Sequence, residues 1–237
     1  MKTFANVLRY APLACTIFLS ACSKDDITSS ASIDLIAVKV LHAAPFNKAK
    51  VEAQLSGQKL GDVEYGTNTP DYTLKVSGNG TLTLKDAATQ ADLFTVPQPI
   101  QLGQAYSLFI YNPTASSIGA LVTTDLDASA QATGRASIRL VNLGFDAGAV
   151  TLTPQAAGAT PLIANIGYGG ASPFVLVDAK EYVLSVQQAA SPEAVLVSKT
   201  VTLAPGSSYT VLLRGRNSAT APVDEQLALD LINNKLR

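Results

Sequence analysis

The sequence predicts an all-β chain: two tandem immunoglobulin-like antiparallel β-sandwich domains behind an N-terminal signal peptide and a flexible tether. Three observations predict it. First, apolar and polar residues alternate with period two through much of residues 35–232, as in IAVKV from Ile36 and ASIRL from Ala136. That period, rich in β-branched residues, marks half-buried strands. Second, Gly, Pro and Asn break the runs at short intervals. No stretch beyond the signal carries a sustained helical period, and LALDLINNKLR at the C-terminal end is the one ambiguous segment. Third, the whole pattern occurs twice.

Residues 1–10 hold Lys2 and Arg9 and no acid, and APLACTIFLSA follows as a short apolar run ending in small residues. A basic start, a brief hydrophobic stretch and a small-residue exit describe a secretory signal peptide, here residues 1–21. A membrane-spanning helix needs about 20 apolar residues; this run is shorter and contains Pro12. Its exit, Leu19-Ser20-Ala21-Cys22, resembles the lipobox of bacterial lipoproteins. That resemblance implies that Cys22 is acylated and that the peptide before it is removed. The chain has two cysteines, Cys15 and Cys22, so the mature protein keeps one, committed to lipid, and no disulfide framework is available. Several buried acyl chains anchor stably where one does not.

Ser23-Lys24-Asp25-Asp26 resembles the export signal that sends some lipoproteins to the outer face of the outer membrane. The expected location is therefore the outer membrane, lipid-anchored and facing the cell exterior. Residues 22–34 form the polar tether. The ten residues from Ser23 to Ser32 reach at most about 35 Å.

The first domain is placed at 35–127, with strand runs near 35–42, 50–56, 72–76, 81–85, 92–96, 105–111 and 119–125. Gly57, Gly61, Gly78-Asn79-Gly80 and Asn112-Pro113 separate them. A small, polar linker covers 128–134 and the second domain covers 135–233. The repeat rests on matched features. Lys39 answers Arg139 on strands whose apolar parity agrees, and Tyr65-Gly66 answers Tyr168-Gly169. LGQAYSLFIYN from Leu102 answers LAPGSSYTVLLRG from Leu203, and the interval from tyrosine to glycine, Tyr65–Gly103 or Tyr168–Gly206, is 38 residues each time. Tyr106 and Tyr209 have the position of a tyrosine corner, in which the ring is buried and its hydroxyl bonds backbone upstream.

VLHAAPF, then a short strand, SGQKL, and Tyr65-Gly66, is similar to domain-of-unknown-function family 4397. His42, Ala43, Ala44, Pro45 and Gly57 match its pattern. Val51-Glu52-Ala53 does so loosely, and the second copy has Asn142-Leu143-Gly144-Phe145 instead of the signature. The resemblance spans about 35–232 and implies a sandwich with no established activity.

Removing residues 1–21 takes two of the 17 basic residues and none of the 18 acidic ones, leaving a net charge of −3. Nucleic acid, which needs a basic footprint, is not an expected partner. His42 is the sole histidine; it keeps the core-facing parity of Ile36, Val38 and Val40, which reads as structural. No Gly-x-Ser-x-Gly elbow accompanies a serine, and a zinc site needs several His or Cys ligands. Asp125 and Asp127 stand two apart without a calcium-loop pattern. Gly167-Tyr168-Gly169-Gly170 reads as a turn. The expectation is thus no catalytic residue, no metal ligand and no cofactor.

Parity sends Tyr106, Leu108 and Ile110 to the core and leaves Phe109 and Tyr111 outward. That pair is the candidate binding patch unless the neighbouring domain or the linker covers it. The chain is therefore expected to be a non-enzymatic interaction or adhesion-type surface lipoprotein with an unknown protein or glycan partner. The alternative is a carbohydrate- or nutrient-binding accessory lipoprotein. A hydrolase would require His42 exposed beside a serine and a carboxylate.

Overall fold

Alternation becomes architecture in a computed structural model that describes residues 35–67, 72–76, 80–97, 100–127 and 129–235. The signal peptide, Cys22 and the Ser23, Lys24, Asp25 and Asp26 signal lie outside the described residues.

The first half contains β1 (Leu35–His42), β2 (Val51–Leu55), β3 (Gln58–Val63), β4 (Thr73–Val76), β5 (Leu82–Asp86), β6 (Asp92–Thr95), β7 (Ala105–Tyr111) and β8 (Gly119–Thr124). After a five-residue helix, α1 (Ser129–Thr133), come β9 (Ala136–Phe145), β10 (Val150–Pro154), β11 (Ile163–Ile166), β12 (Gly170–Ala171) and β13 (Val175–Val177). The chain closes with β14 (Glu181–Gln188), β15 (Ser191–Thr202), β16 (Ser208–Arg216) and β17 (Ala228–Asn233). Two of these elements differ from the sequence reading. QKLGDV forms β3, paired back on β2 through a Ser56-Gly57 turn in which both residues have positive φ. The linker carries α1, whose Asp127 accepts hydrogen bonds from the Ser129 amide and hydroxyl and so satisfies a free helix-end donor.

Each half is two sheets face to face. In the first, β4-β1-β7-β8 packs on β3-β2-β5-β6; in the second, β12-β9-β16-β17, with β13 also on β9, packs on β11-β10-β14-β15. Most pairs are antiparallel. The exception is shared: β1 runs parallel to β7 and β9 parallel to β16. Ile36, Val38, Val40, Tyr106, Leu108 and Ile110 face the first core, as parity required. Ile138, Leu140, Tyr209, Val211 and Leu213 do so in the second. Both tyrosine corners form: Tyr106 Oη accepts from Gln101 N at 3.2 Å and Tyr209 Oη from Ala204 N at 3.1 Å.

The outer faces of the parallel pairs meet each other. Leu41, Ala43, Phe109, Val141, Leu143, Leu212 and Ile232 form a third buried cluster, a seam between the halves. This corrects the reading of Phe109 as an exposed patch residue. It does face away from its own core, but the second half covers it completely, at 0% exposure. Burying a ring of that size is worth about 1.5–3 kcal/mol.

Candidate functional site

β1 ends at His42, four residues before Phe46, and β9 ends at Phe145. Register makes the two sides of the seam comparable. Val38 lies opposite Tyr106 and Ile138 opposite Tyr209, while Thr124 and Asn233 pair with those same two tyrosines. Lys39 therefore corresponds to Arg139, Ser107 to Thr210, and Asp125 to Asn234.

At the starting end these residues cross the seam in both directions. Lys39 Nζ donates to Asn233 O at 2.7 Å and stands 4.4 Å from the centre of the Tyr72 ring. Arg139 donates to Thr124 O at 2.9 Å and lies 4.8 Å from the Phe174 ring. Here the likeness stops, because Arg139 also pairs with the Asp125 carboxylate, and both are buried. Asp125 further accepts from Ser107 and Tyr72, each at 2.6 Å. In the second half Asn234 takes its place, neutral, bonded to Thr210. Asp125 and Asp127 are thus engaged by an arginine and by a helix start. Among the described residues no group of three or more His, Cys, Asp or Glu is placed to hold a metal ion.

His42 is buried, with 1% exposure. Its Nδ1 accepts from Ala44 N at 3.3 Å and its Nε2 lies 3.2 Å from Ala49 O, which fixes the neutral Nε2–H tautomer. Burial pulls its pKa down to about 4, only partly opposed by the bond to Ala49. Asn142 does the same work with different chemistry: its Oδ1 accepts from Gly144 N and its Nδ2 donates to Gly148 O. Both side chains tie the end of a first strand to the loop that follows it.

The far end of the seam carries the exposed chemistry. Tyr111, half-buried, packs edge-on to Tyr168 at 5.8 Å; Tyr168 meets Phe145 at 5.7 Å, and Phe145 meets Phe46 at 4.8 Å. The two inner rings of the row, Tyr168 and Phe145, come from the second half, and the two outer ones, Tyr111 and Phe46, from the first. Buried Asn112 organises them: it accepts from Phe46 N, donates to Ser117 O, and offers its own carbonyl to the Tyr168 hydroxyl. Gly169 is required beside Tyr111. Its φ is +73° and a Cβ there would come within 3.2 Å of the Tyr111 oxygen.

Arg216 lies 4.6 Å from the Phe46 ring and bonds Glu225 at 3.0 Å, and Lys48 reaches Glu225 and Asp224 across the seam. Lys48 and then Arg216 hold the Glu225 carboxyl below its usual pKa. Sequence reasoning had Tyr111 but missed Phe46, Phe145 and Tyr168. No local pattern joins rings drawn from two strand ends and two separate loops.

A second feature borders the seam. A cavity of about 170 Å³ opens between Gly66-Thr67 and Lys199, Arg214 and Asp230. Arg214 Nε donates to Asp230 at 2.6 Å.

These observations define a two-half β-sandwich chain with an aromatic row at one end. The family described as Domain of unknown function (DUF4397) matches residues 36–153, which supports the family that His42–Pro45 suggested. The match takes in all of the first half's strands but the start of β1, and runs through β9 into β10. No curated protein matches the chain. The chain is similar to the C-terminal domain of AlgF from P. aeruginosa, at 21% identity over 42% of this chain and 98% of that one, with a TM-score of 0.31. It is also similar to a family 26 carbohydrate-binding module from Eubacterium rectale in complex with maltoheptaose, at 13% identity over 81% and 100%, with a TM-score of 0.25. Both scores are too low to carry an argument about function.

Proposed function

We propose that this protein is a non-enzymatic, lipid-anchored outer-membrane lipoprotein displayed on the cell surface, and that its aromatic row is the contact surface for a partner. One observation carries the reading. The half-buried rings of Phe46, Phe145, Tyr168 and Tyr111 gather at the end of the seam opposite Leu35. The eight residues of β1 separate that end from Leu35 by about 26 Å. A lipid at Cys22 tethers the Leu35 end, so the row belongs to the end left free. Aromatic rings flanked by arginine are common anchors of recognition surfaces. His42 supports the same reading, since an imidazole kept neutral by burial, with both ring nitrogens engaged by backbone, is a poor general base.

The test places a photocrosslinking side chain at Phe145, or at Thr200 on the outer sheet as control, in intact cells. Crosslinks at Phe145 alone, together with protease shaving of the native chain and protection of a Lys24→Ala/Asp25→Ala/Asp26→Ala variant, are expected. Equal yields at both positions would sink the contact surface. Protection of the native chain on intact cells would instead place it facing the periplasm. A glycan partner is the second reading, favoured by the hydroxyl-rich loop of Thr114, Ser116 and Ser117 beside the row. Glycan-array binding lost in Phe145→Ala would select it.

A further inference from the structure

The two sides of the seam differ most where register makes Arg214 the counterpart of Tyr111 and Asp230 the counterpart of Leu121. In the first half Tyr111 and Leu121 pack against the seam cluster. In the second, the same two places hold an ion pair, and the 170 Å³ cavity remains open beside it. Exchanging an apolar pair for a partly exposed ionic one brings little stability on its own account. The charges do not balance either. Lys199 and Arg214 line the cavity, Asp230 is the one acid among its described lining residues, and Lys199 Nζ stands 4.0 Å from it.

The guanidinium is only partly used. Among the described residues Arg214 makes its hydrogen bond through Nε. Its terminal nitrogens lie against Gly66, 3.5 and 3.6 Å from where a Cβ would stand, so the glycine leaves them room. The Tyr65 hydroxyl is buried near the same guanidinium without a hydrogen bond of good geometry. Donors of a planar fork and an ammonium group therefore collect at one place, with Leu41, Leu212 and Ile232 as apolar wall.

We propose that this cavity binds a small carboxylate, held by the terminal nitrogens of Arg214 and by Lys199, with its short aliphatic stem against Leu212 and Ile232. A fork of two parallel N–H donors matches a carboxylate in both shape and charge. The volume suits the ligand, since an apolar cavity of about 150 Å³ admits benzene. The site is separate from the aromatic row and does not depend on it. The carboxylate comes either from a free organic acid or from an acidic side chain of a partner.

The full chain in detergent, titrated calorimetrically with succinate, with uncharged succinamide and with the peptide Gly-Glu-Gly, tests this in the native chain and its variants, and the Arg214 Nε–H resonance of the native chain reports where the ligand sits. A saturable shift with succinate, with the peptide or with both, and none with succinamide, is expected. Succinate alone identifies a free acid, and the peptide alone a partner's side chain. Arg214→Gln should weaken binding at least tenfold. Arg214→Tyr with Asp230→Leu rebuilds the first half's apolar pair, so it should keep its unfolding midpoint and lose binding altogether. No shift with either carboxylate, or unchanged binding by the double variant, overturns the proposal.

Discussion

Lys39 and Arg139 stand at matching places, each stacked on an aromatic ring of its own half and each donating to a carbonyl of the other. They differ in what else they hold. Lys39 meets a backbone oxygen beside neutral Asn234, whereas Arg139 also neutralises the buried carboxylate of Asp125. The same cross-seam bond therefore forms beside a buried acid at one place and beside a neutral amide at the other. The lesson is that a seam between like halves tolerates asymmetry, provided every buried charge is met.

The largest predicted effect breaks this comparison directly. Arg139→Met leaves Asp125 buried without its cation and should cost about 3–5 kcal/mol. Lys39→Met removes a bond to a carbonyl and should cost about 1–2 kcal/mol. Urea unfolding midpoints measure both, and equal losses would show that Asp125 is neutralised by other means.

His42 and Asn142 sharpen it next. The folded pKa of His42 lies below its ordinary value of 6.5, at about 4. Between those values the unfolded chain binds a proton that the folded chain refuses. Stability contributed by the neutral ring is thus complete above about 6.5 and falls as pH drops toward 4, by roughly 3 kcal/mol in total. His42→Asn, which copies the second half, should fold and should flatten that part of the stability–pH curve. An unchanged slope would assign it to other groups.

The smallest effect concerns the tyrosine corners, where the halves agree. Tyr106→Phe and Tyr209→Phe should each cost about 1 kcal/mol, read from the same midpoints. A much larger cost at one corner would mean that the halves share its geometry but not its role.

Much of this was legible before any coordinates, because period two assigns faces. It sent Ile36, Val38 and Val40 inward, put His42 with them, and turned Phe109 and Tyr111 the other way. It does not say what covers the other face. A cation in mid-strand, Lys39 or Arg139, looks like a solvent residue until a second sheet arrives to accept its hydrogen bonds. β3 was hidden because QKLGDV is a polar edge segment whose pairing comes from the Ser56-Gly57 turn rather than from its own propensity. The parallel course of β1 and β7 is a matter of topology, which alternation leaves open. The aromatic row joins two strand ends, Tyr111 and Phe145, to two loop residues, Phe46 and Tyr168, and no period connects them. The Arg214 cavity did leave a trace: Tyr111 answered by Arg214 is a mismatch between otherwise similar strands, and such mismatches mark where like halves diverge.

The parallel pairing of β1 has a mechanical meaning. Traction on the chain ahead of Leu35, resisted by a grip at the far loops, runs along the axis of β1. Its ladder to β7, from Ala37–Ala105 to His42–Ile110, and its pairing with β4 on the other flank are then loaded in shear. Bonds loaded in shear must give way together rather than one after another, as they do when a strand is peeled from its end. The first strand is thus the one best placed to bear force along the chain that enters it.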